Sequence, residues 1–241
     1  QVSNQGSISA RLGTVALGAG NAATLSFDGA RLLQLQIDQS TLNNLAENGG
    51  LIRADGGQVL MSAGARDSLL ASVVNNTGVI EARSVEQHDG SIVLLGGMAA
   101  GTTHVAGTLD ASAPTGGNGG FIETSAAHVK IDDDVHISTA AAQGRAGTWL
   151  IDPVDFTIAA SGGDISGAAL SANLRNGNVV IQSTQGSAGT AGDVHVNDKV
   201  NWSANRLTLN AQRNININAT LNGSGTASLA LEYGQQAVAA G

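Results

Sequence analysis

The 241-residue sequence contains no cysteine, two lysines (Lys130 and Lys199), two prolines and six aromatic residues. Without cysteine there is neither a disulfide framework nor a thiolate metal site. That absence suits a chain that must stay unfolded during export, and many cytosolic proteins share it. Charged residues make up 12% of the chain, about half of the roughly 25% usual in globular domains. The net charge is −8, and no basic stripe exists to hold nucleic acid or anionic lipid. No apolar run approaches the roughly 20 residues a membrane-crossing helix needs. A disordered chain combines low hydrophobicity with high charge, and this one, 42% hydrophobic, has the opposite balance.

Glycine is abundant, at 33 residues, and it punctuates a repeat. The segment ENGGLIRADGGQVLMSAG at 47–64 recurs as NNTGVIEARSVEQHDGSIVLLGG at 75–97 and as VAGTLDASAPTGGNGGFIETSA at 105–126. A looser copy, DDDVHISTAAAQGRAGTWLIDP, fills 132–153. Ile52, Ile80, Leu109 and Ile137 lie 28, 29 and 28 residues apart, whereas Gly57, Gly90, Gly120 and Gly147 lie 33, 30 and 27 apart. A fixed strand followed by a turn of variable length produces that pair of spacings. Within each copy apolar and polar residues alternate, as in Ile80-Glu81-Ala82 and Leu109-Asp110-Ala111, which marks strands with one buried face. One copy cannot bury its own face, but stacked copies bury a continuous core. The sequence therefore predicts an all-β solenoid of about nine coils, each about 4.8 Å above the last.

Two stretches depart from the repeat. Residues 27–45, FDGARLLQLQIDQSTLNNL, read as an extra strand or hairpin lying on the stack, with a helical turn at 40–46 as the alternative. Residues 65–74, ARDSLLASVV, read as strand despite some helical character. Beyond Ile158 the repeat loosens. Gly163 to Arg175 is the best helix candidate, with Ser166 as N-cap, and strands resume at 178–183, 193–198, 206–211, 214–219 and 227–233. The chain thus divides into regular coils at 1–158 and less regular ones at 159–241. It opens inside a strand pattern, carries no signal peptide, and reads as a mature or excised piece.

Chemistry is sparse. GAGNAA at 18–23 resembles a dinucleotide loop with Asp38 at a suitable distance, but no helix follows and an ordinary turn is the better reading. Asp132, Asp133 and Asp134, with His128 and His136 nearby, invite a calcium site or the carboxylate chemistry of a polysaccharide-cleaving enzyme. Consecutive strand residues point to opposite faces, so a solvated turn is the simpler reading. The five histidines, His88, His104, His128, His136 and His195, show no ligand spacing. No nucleophile elbow occurs. The expectation is therefore no enzyme, no catalytic, metal or cofactor-binding residue, and no cofactor. Asn75, Asn201, Asn218 and Asn222 lie in N-x-S/T sequons and are candidate glycosylation sites, Asn222 reading as the most accessible. Trp149 is either a ligand-stacking residue or, more simply, the seal of a core layer.

The NxGxIxA-type coils leading into GTWLIDPVDFTI at 147–158 resemble the large exoproteins of Gram-negative two-partner secretion systems, the filamentous-haemagglutinin and high-molecular-weight-adhesin family. The motif residues are Gly147, Trp149, Asp152, Pro153, Asp155 and Phe156. The resemblance implies a right-handed parallel β-helix, export through an outer-membrane transporter barrel, and an adhesive role at the cell surface toward a host or bacterial receptor. It implies a monomer, without membrane insertion. Glycosylated members of the family make the four sequons candidates. The family's Asn-Pro-Asn secretion motif is absent, so the resemblance implies an internal piece. A haem-acquisition exoprotein, a contact-dependent toxin stalk and a polysaccharide-degrading enzyme remain alternatives. Asp152 and Asp155 are expected to be corner residues flanking Pro153.

Overall fold

Short strands form wherever aliphatic residues alternate with small polar ones, and glycine, asparagine and aspartate corners end them. The protein's structure, a computed structural model, describes residues 1–28, 31–39, 44–64, 72–184 and 191–234. In chain order the first strands are β1 (Val2–Asn4), β2 (Ser7–Ser9) and β3 (Thr14–Ala19), followed by β4 (Ala22–Asp28) and β5 (Arg31–Gln39). Then come β6 (Asn44–Asn48), β7 (Leu51–Arg53), β8 (Gln58–Ala63), β9 (Ser72–Asn76), β10 (Val79–Glu81) and β11 (Ser91–Gly96). The middle of the chain supplies β12 (Thr102–Val105), β13 (Thr108–Asp110), β14 (Phe121–Ser125), β15 (His128–Ile131), β16 (His136–Ser138) and β17 (Thr148–Asp152). β18 (Phe156–Ile158), helix α1 (Gly167–Asn173) and β19 (Asn178–Ser183) follow. The described chain closes with β20 (Val194–Val196), β21 (Val200–Trp202), β22 (Arg206–Ala211), β23 (Ile215–Ile217), β24 (Leu221–Gly223) and β25 (Ser228–Glu232).

Apart from the offsets that the β4–β5 hairpin and helix α1 introduce, each large sheet takes every third strand. The first runs β1-β6-β9-β12-β15, the second β2-β7-β10-β13-β16, and the third β3-β8-β11-β14-β17-β19-β22-β25. Two smaller sheets, β18-β20-β23 and β21-β24, carry the later rounds. Every named pair is parallel except β4–β5. This nearly all-β arrangement of long parallel sheets is compatible with a β-helix. Its longest sheet has eight strands, where the sequence suggested about nine coils. The β4–β5 hairpin takes up the 16 residues by which the Ile8–Ile52 spacing of 44 exceeds the 28 of Ile52–Ile80.

In-register pairing stacks like on like. Ile8, Ile52, Ile80, Leu109 and Ile137 form one ladder, and the middle three are completely buried. Val15, Val59, Ile92, Ile122, Trp149, Val179 and Leu207 form a second ladder in the third sheet. A third ladder is polar. Asn4 Nδ2 donates to Asn48 Oδ1 at 2.8 Å, Asn48 Nδ2 donates to Asn76 Oδ1 at 2.8 Å, and Asn76 Nδ2 ends on Ala106 O at 2.9 Å. Asn48 and Asn76 are fully buried, and the repeated amide bonds satisfy what burial would otherwise leave costly.

The hairpin is the expected accessory, but its bounds differ from 27–45. Full pairing of β5 needs a partner of matching length, so β4 begins at Ala22, which pairs with Gln39. Leu45 belongs instead to β6, opposite Val73. Leu35 and Ile37 lie over Gly18, and Ile37 also lies over Gly64, where the missing side chains leave room for them. Of the alternative helical turn at 40–46, the part from Asn44 is strand, and residues 40–43 lie outside the described chain. Of the strand expected at 65–74, the part from Ser72 is present and 65–71 lie outside the described residues. GAGNAA leads from β3 into β4, with no helix following.

Helix α1 occupies the place of a strand between β16 and β21. Ser166 caps it, accepting from the Ala169 N–H at 3.1 Å. A helix cannot extend a β ladder, so side chains bridge the gap. The Ile137 N–H donates to Asn173 Oδ1 at 2.8 Å and Asn176 Nδ2 donates to Ile137 O at 3.2 Å. On the other side the Asn201 N–H donates to Ser171 Oγ at 2.9 Å.

The glycine corners before the third sheet stack backbone on backbone. A Cβ on Gly120 would overlap Gly90 O, and one on Gly147 would overlap Gly120 O. Gly120→Ala is therefore expected to destabilise the fold by about 1–3 kcal/mol, measured as a lowered urea midpoint. Gly6→Ala, whose Cβ would meet nothing nearer than 4.0 Å, should cost far less.

Candidate functional site

The motif at 147–158 is a strand, a corner and a strand. Trp149 is 1% exposed and stands in the ladder between Ile122 and Val179. Its indole Nε1–H donates to Thr124 Oγ1 at 3.1 Å. Thr124 is the polar member of the neighbouring ladder of Leu17, Met61, Leu94, Ile151, Ile181 and Leu209. One tryptophan thus requires one hydroxyl in an otherwise apolar column. The indole is enclosed by core, and no face of it is open for a ligand to stack on.

Past Trp149 the chain turns at Asp152 and buried Pro153 into β18, where Phe156 is fully buried. Asp155 Oδ1 accepts from the Asp193 N–H at 2.8 Å, and Asp193 Oδ1 accepts from the Asn214 N–H at 3.0 Å. The corner acid of one round therefore holds the backbone of the next. Arg213 pairs with Asp193 at 2.6 Å, and its hydrogen bond holds that carboxyl below the usual carboxylate range.

Asp152 is different. Its Oδ1 is buried without a hydrogen-bond partner. Burial, reinforced by the negative charge of Glu123, pushes its carboxyl up to about 6. Glu123 accepts from Ser125 Oγ at 2.8 Å. Asp152 and Asp155 are thus not a matched pair. One is a stressed carboxyl beside Glu123, the other a backbone cap.

The acidic run forms a turn. Asp132, Asp133 and Asp134 are all exposed, as are His128 and His136. The Val135 N–H closes on Asp132 O at 3.3 Å. Asp132 Oδ1 meets His104 Nε2 at 2.8 Å, while His104 Nδ1 meets Asn75 Oδ1 at 2.8 Å. Asp110, which could have joined a carboxylate cluster, lies on β13 within 3.9 Å of Arg83. Arg83 also pairs with Glu81 and Asp55. Among the described residues no group of three or more histidine or acidic side chains could hold a metal ion.

The sequon asparagines lie on or beside strands. Asn75 donates to Glu47 Oε1 at 3.4 Å, Asn218 to Asn197 Oδ1 at 2.8 Å and Asn222 to Asn201 Oδ1 at 3.2 Å. Asn201, Asn218 and Asn222 are all exposed, so Asn222 is not singled out, and Asn75 is half-buried. The buried Asn48–Asn76 ladder and the Trp149–Thr124 pair went unnoticed as contacts in the sequence. The repeated Asn-x-Gly spacing was the available signal for the first, and a threonine at an aliphatic position for the second.

Two outcomes follow from these contacts. Thr124→Val, which keeps shape but leaves the Trp149 N–H buried and unpaired, should cost about 1–3 kcal/mol, read by urea unfolding followed at tryptophan fluorescence. For Asp152 the folded carboxyl binds its proton more tightly than the unfolded one, so its ionisation penalty is full above about pH 6 and fades as pH falls toward 4. Asp152→Asn should therefore stabilise the protein by about 2 kcal/mol at pH 8 after allowance for solvent. At pH 4 it should give almost nothing, a difference that melts at the two pH values will show.

Comparison with family models finds no match to this chain, and none is found among curated proteins.

Proposed function

We propose that the chain is a right-handed parallel β-helix serving as a structural and adhesive module at a Gram-negative cell surface. In this reading it belongs to a large exoprotein exported by two-partner secretion through an outer-membrane transporter barrel. The observation that carries the reading is the third sheet, eight parallel strands in one register, ending in a chain that bears GTWLIDPVDFTI at the round where Trp149 seals the core. Stacked rounds suit a spacer whose task is to hold corners away from a surface. Each round offers the next a ready edge, so folding can proceed vectorially as the chain emerges, and every new round adds burial that resists its return. The absence of cysteine fits passage in an unfolded state.

Expressed within its full reading frame together with a two-partner transporter barrel, the segment should reach the cell surface or the medium and promote attachment to host or bacterial cells. Deleting the barrel should trap it in the periplasm. Periplasmic retention with the barrel present would overturn the export reading. Unchanged attachment after deletion of residues 1–241, with the remainder still displayed, would overturn the adhesive one.

A further inference from the structure

The strand starts of the third sheet carry an outward column of polar residues with one interruption. Thr14, Gln58, Ser91, Phe121, Thr148 and Asn178 stand there, each in register with the next. Phe121 is the one apolar member. It alternates with Ile122, which lies in the core ladder, so the phenyl ring faces out, and it is 37% exposed. Ser91 and Thr148 alternate in the same way with buried Ile92 and Trp149. Their hydroxyls therefore face out on either side of the ring, one strand spacing of about 4.8 Å away along the stack.

The glycine corners leave this ring uncovered. Gly90, Gly120 and Gly147 immediately precede Ser91, Phe121 and Thr148, and a Cβ on any of them would strike backbone. A recess of about 310 Å³ results, floored by these glycines and Gly119 and lined further by Asp89, Ser91, Phe121 and Thr148. That is the lower end of the roughly 300–1,000 Å³ of small-molecule sites. Its polar side chains are uncommitted. Among the described residues, exposed Asp89 and the Ser91 and Thr148 hydroxyls have no side-chain hydrogen bond or ion pair. Asp110, Asp155, Asp164 and Asp198, by contrast, each accept from a backbone N–H.

An outward aromatic ring flanked by hydroxyls and one carboxylate is complementary to a pyranose. The C–H face of a sugar ring carries slight positive charge and meets the negative face of an aromatic ring. The sugar's equatorial hydroxyls then project sideways, toward Ser91 and Thr148. An ionised carboxylate only accepts, so Asp89 suits hydroxyl donors and repels an anion. No lysine or arginine lines the recess to offset that repulsion. We propose that this recess binds a neutral pyranose residue of a glycan, stacked on Phe121 and held at its edge by Asp89, Ser91 and Thr148. The assignment does not depend on how the chain is exported or on whether it attaches to cells.

The test uses a matched pair of sugars, methyl β-D-glucopyranoside and its acidic counterpart methyl β-D-glucuronide. In a ¹H–¹⁵N correlation spectrum of the uniformly labelled chain, the glucoside should shift the Gly90, Phe121 and Thr148 amide resonances saturably, with a Kd of about 1 mM. The Trp149 indole resonance, tied to Thr124 inside the core, should stay still and report that the fold is intact. The glucuronide should bind at least tenfold more weakly. Phe121→Ser, which repeats at an exposed position the residue of the preceding round, should weaken glucoside binding at least tenfold with the Trp149 signal in place. Asp89→Asn should narrow the preference for the glucoside over the glucuronide. No movement of the three amides at about 50 mM glucoside, some fifty times that Kd, would overturn the proposal. So would undiminished binding by Phe121→Ser, equal binding of the glucuronide, or a preference that survives Asp89→Asn unchanged.

Discussion

Backbone-to-backbone approach at the stacked corners is the constraint on which the rest of this structure depends. A parallel ladder fixes the distance between neighbouring strands at about 4.8 Å, and at the corners that distance leaves no space for a side chain. Gly90, Gly120 and Gly147 follow from it, each overlying the last with no room for a Cβ. Because the register cannot slip, every difference in length between rounds must go outward into the turns. Whatever residue one round places in the core is then met by its counterpart in the next. This produces aliphatic ladders where the residues are alike and forces specific compensation where they are not. Trp149 is the clearest such case. Its indole is accommodated because the round before supplies Thr124 one column away.

The same constraint explains how the charged residues are used. The few that exist are mostly tied to residues one round away. Arg83 reaches Asp55 and Asp110, His104 reaches Asn75 and Asp132, and Asp155 caps the backbone at Asp193. These contacts span roughly one repeat of sequence. They hold rounds in register. Asp152 contrasts with these, a carboxyl set beside Glu123 with one buried oxygen unpartnered.

Much of the framework was legible in the sequence because its signal is local. Period-two alternation around Ile52, Ile80, Leu109 and Ile137 gave both the strands and their stacking, and Ser166 ahead of an alanine- and leucine-rich run gave the helix. What could not be read depends on partners far along the chain. Asn48 and Asn76 look like ordinary turn residues until stacking brings their amides together. Nothing local says that α1 stands where a strand should, since Asn173 and Ser171 find Ile137 and Asn201 only in the fold. The hairpin was half legible. Leu33, Leu35 and Ile37 announced one strand, while AATLSF carried too weak an alternation to announce its mate. Of the candidate site, the motif was visible, but the bond from the Trp149 indole to Thr124 was not, because it joins residues of two different rounds.

Helix α1 also has a mechanical meaning. Across most of the second sheet, adjacent rounds are joined by backbone hydrogen bonds loaded in parallel. Between β16 and β21 that continuity is handed to Asn173, Asn176 and Ser171 side chains. A tensile load directed across the strands would there be carried by the unbroken β17–β19–β22 run of the third sheet and by β18–β20–β23. The molecule has a hinge-sided seam, a place where it would open on one face before it parted on the other.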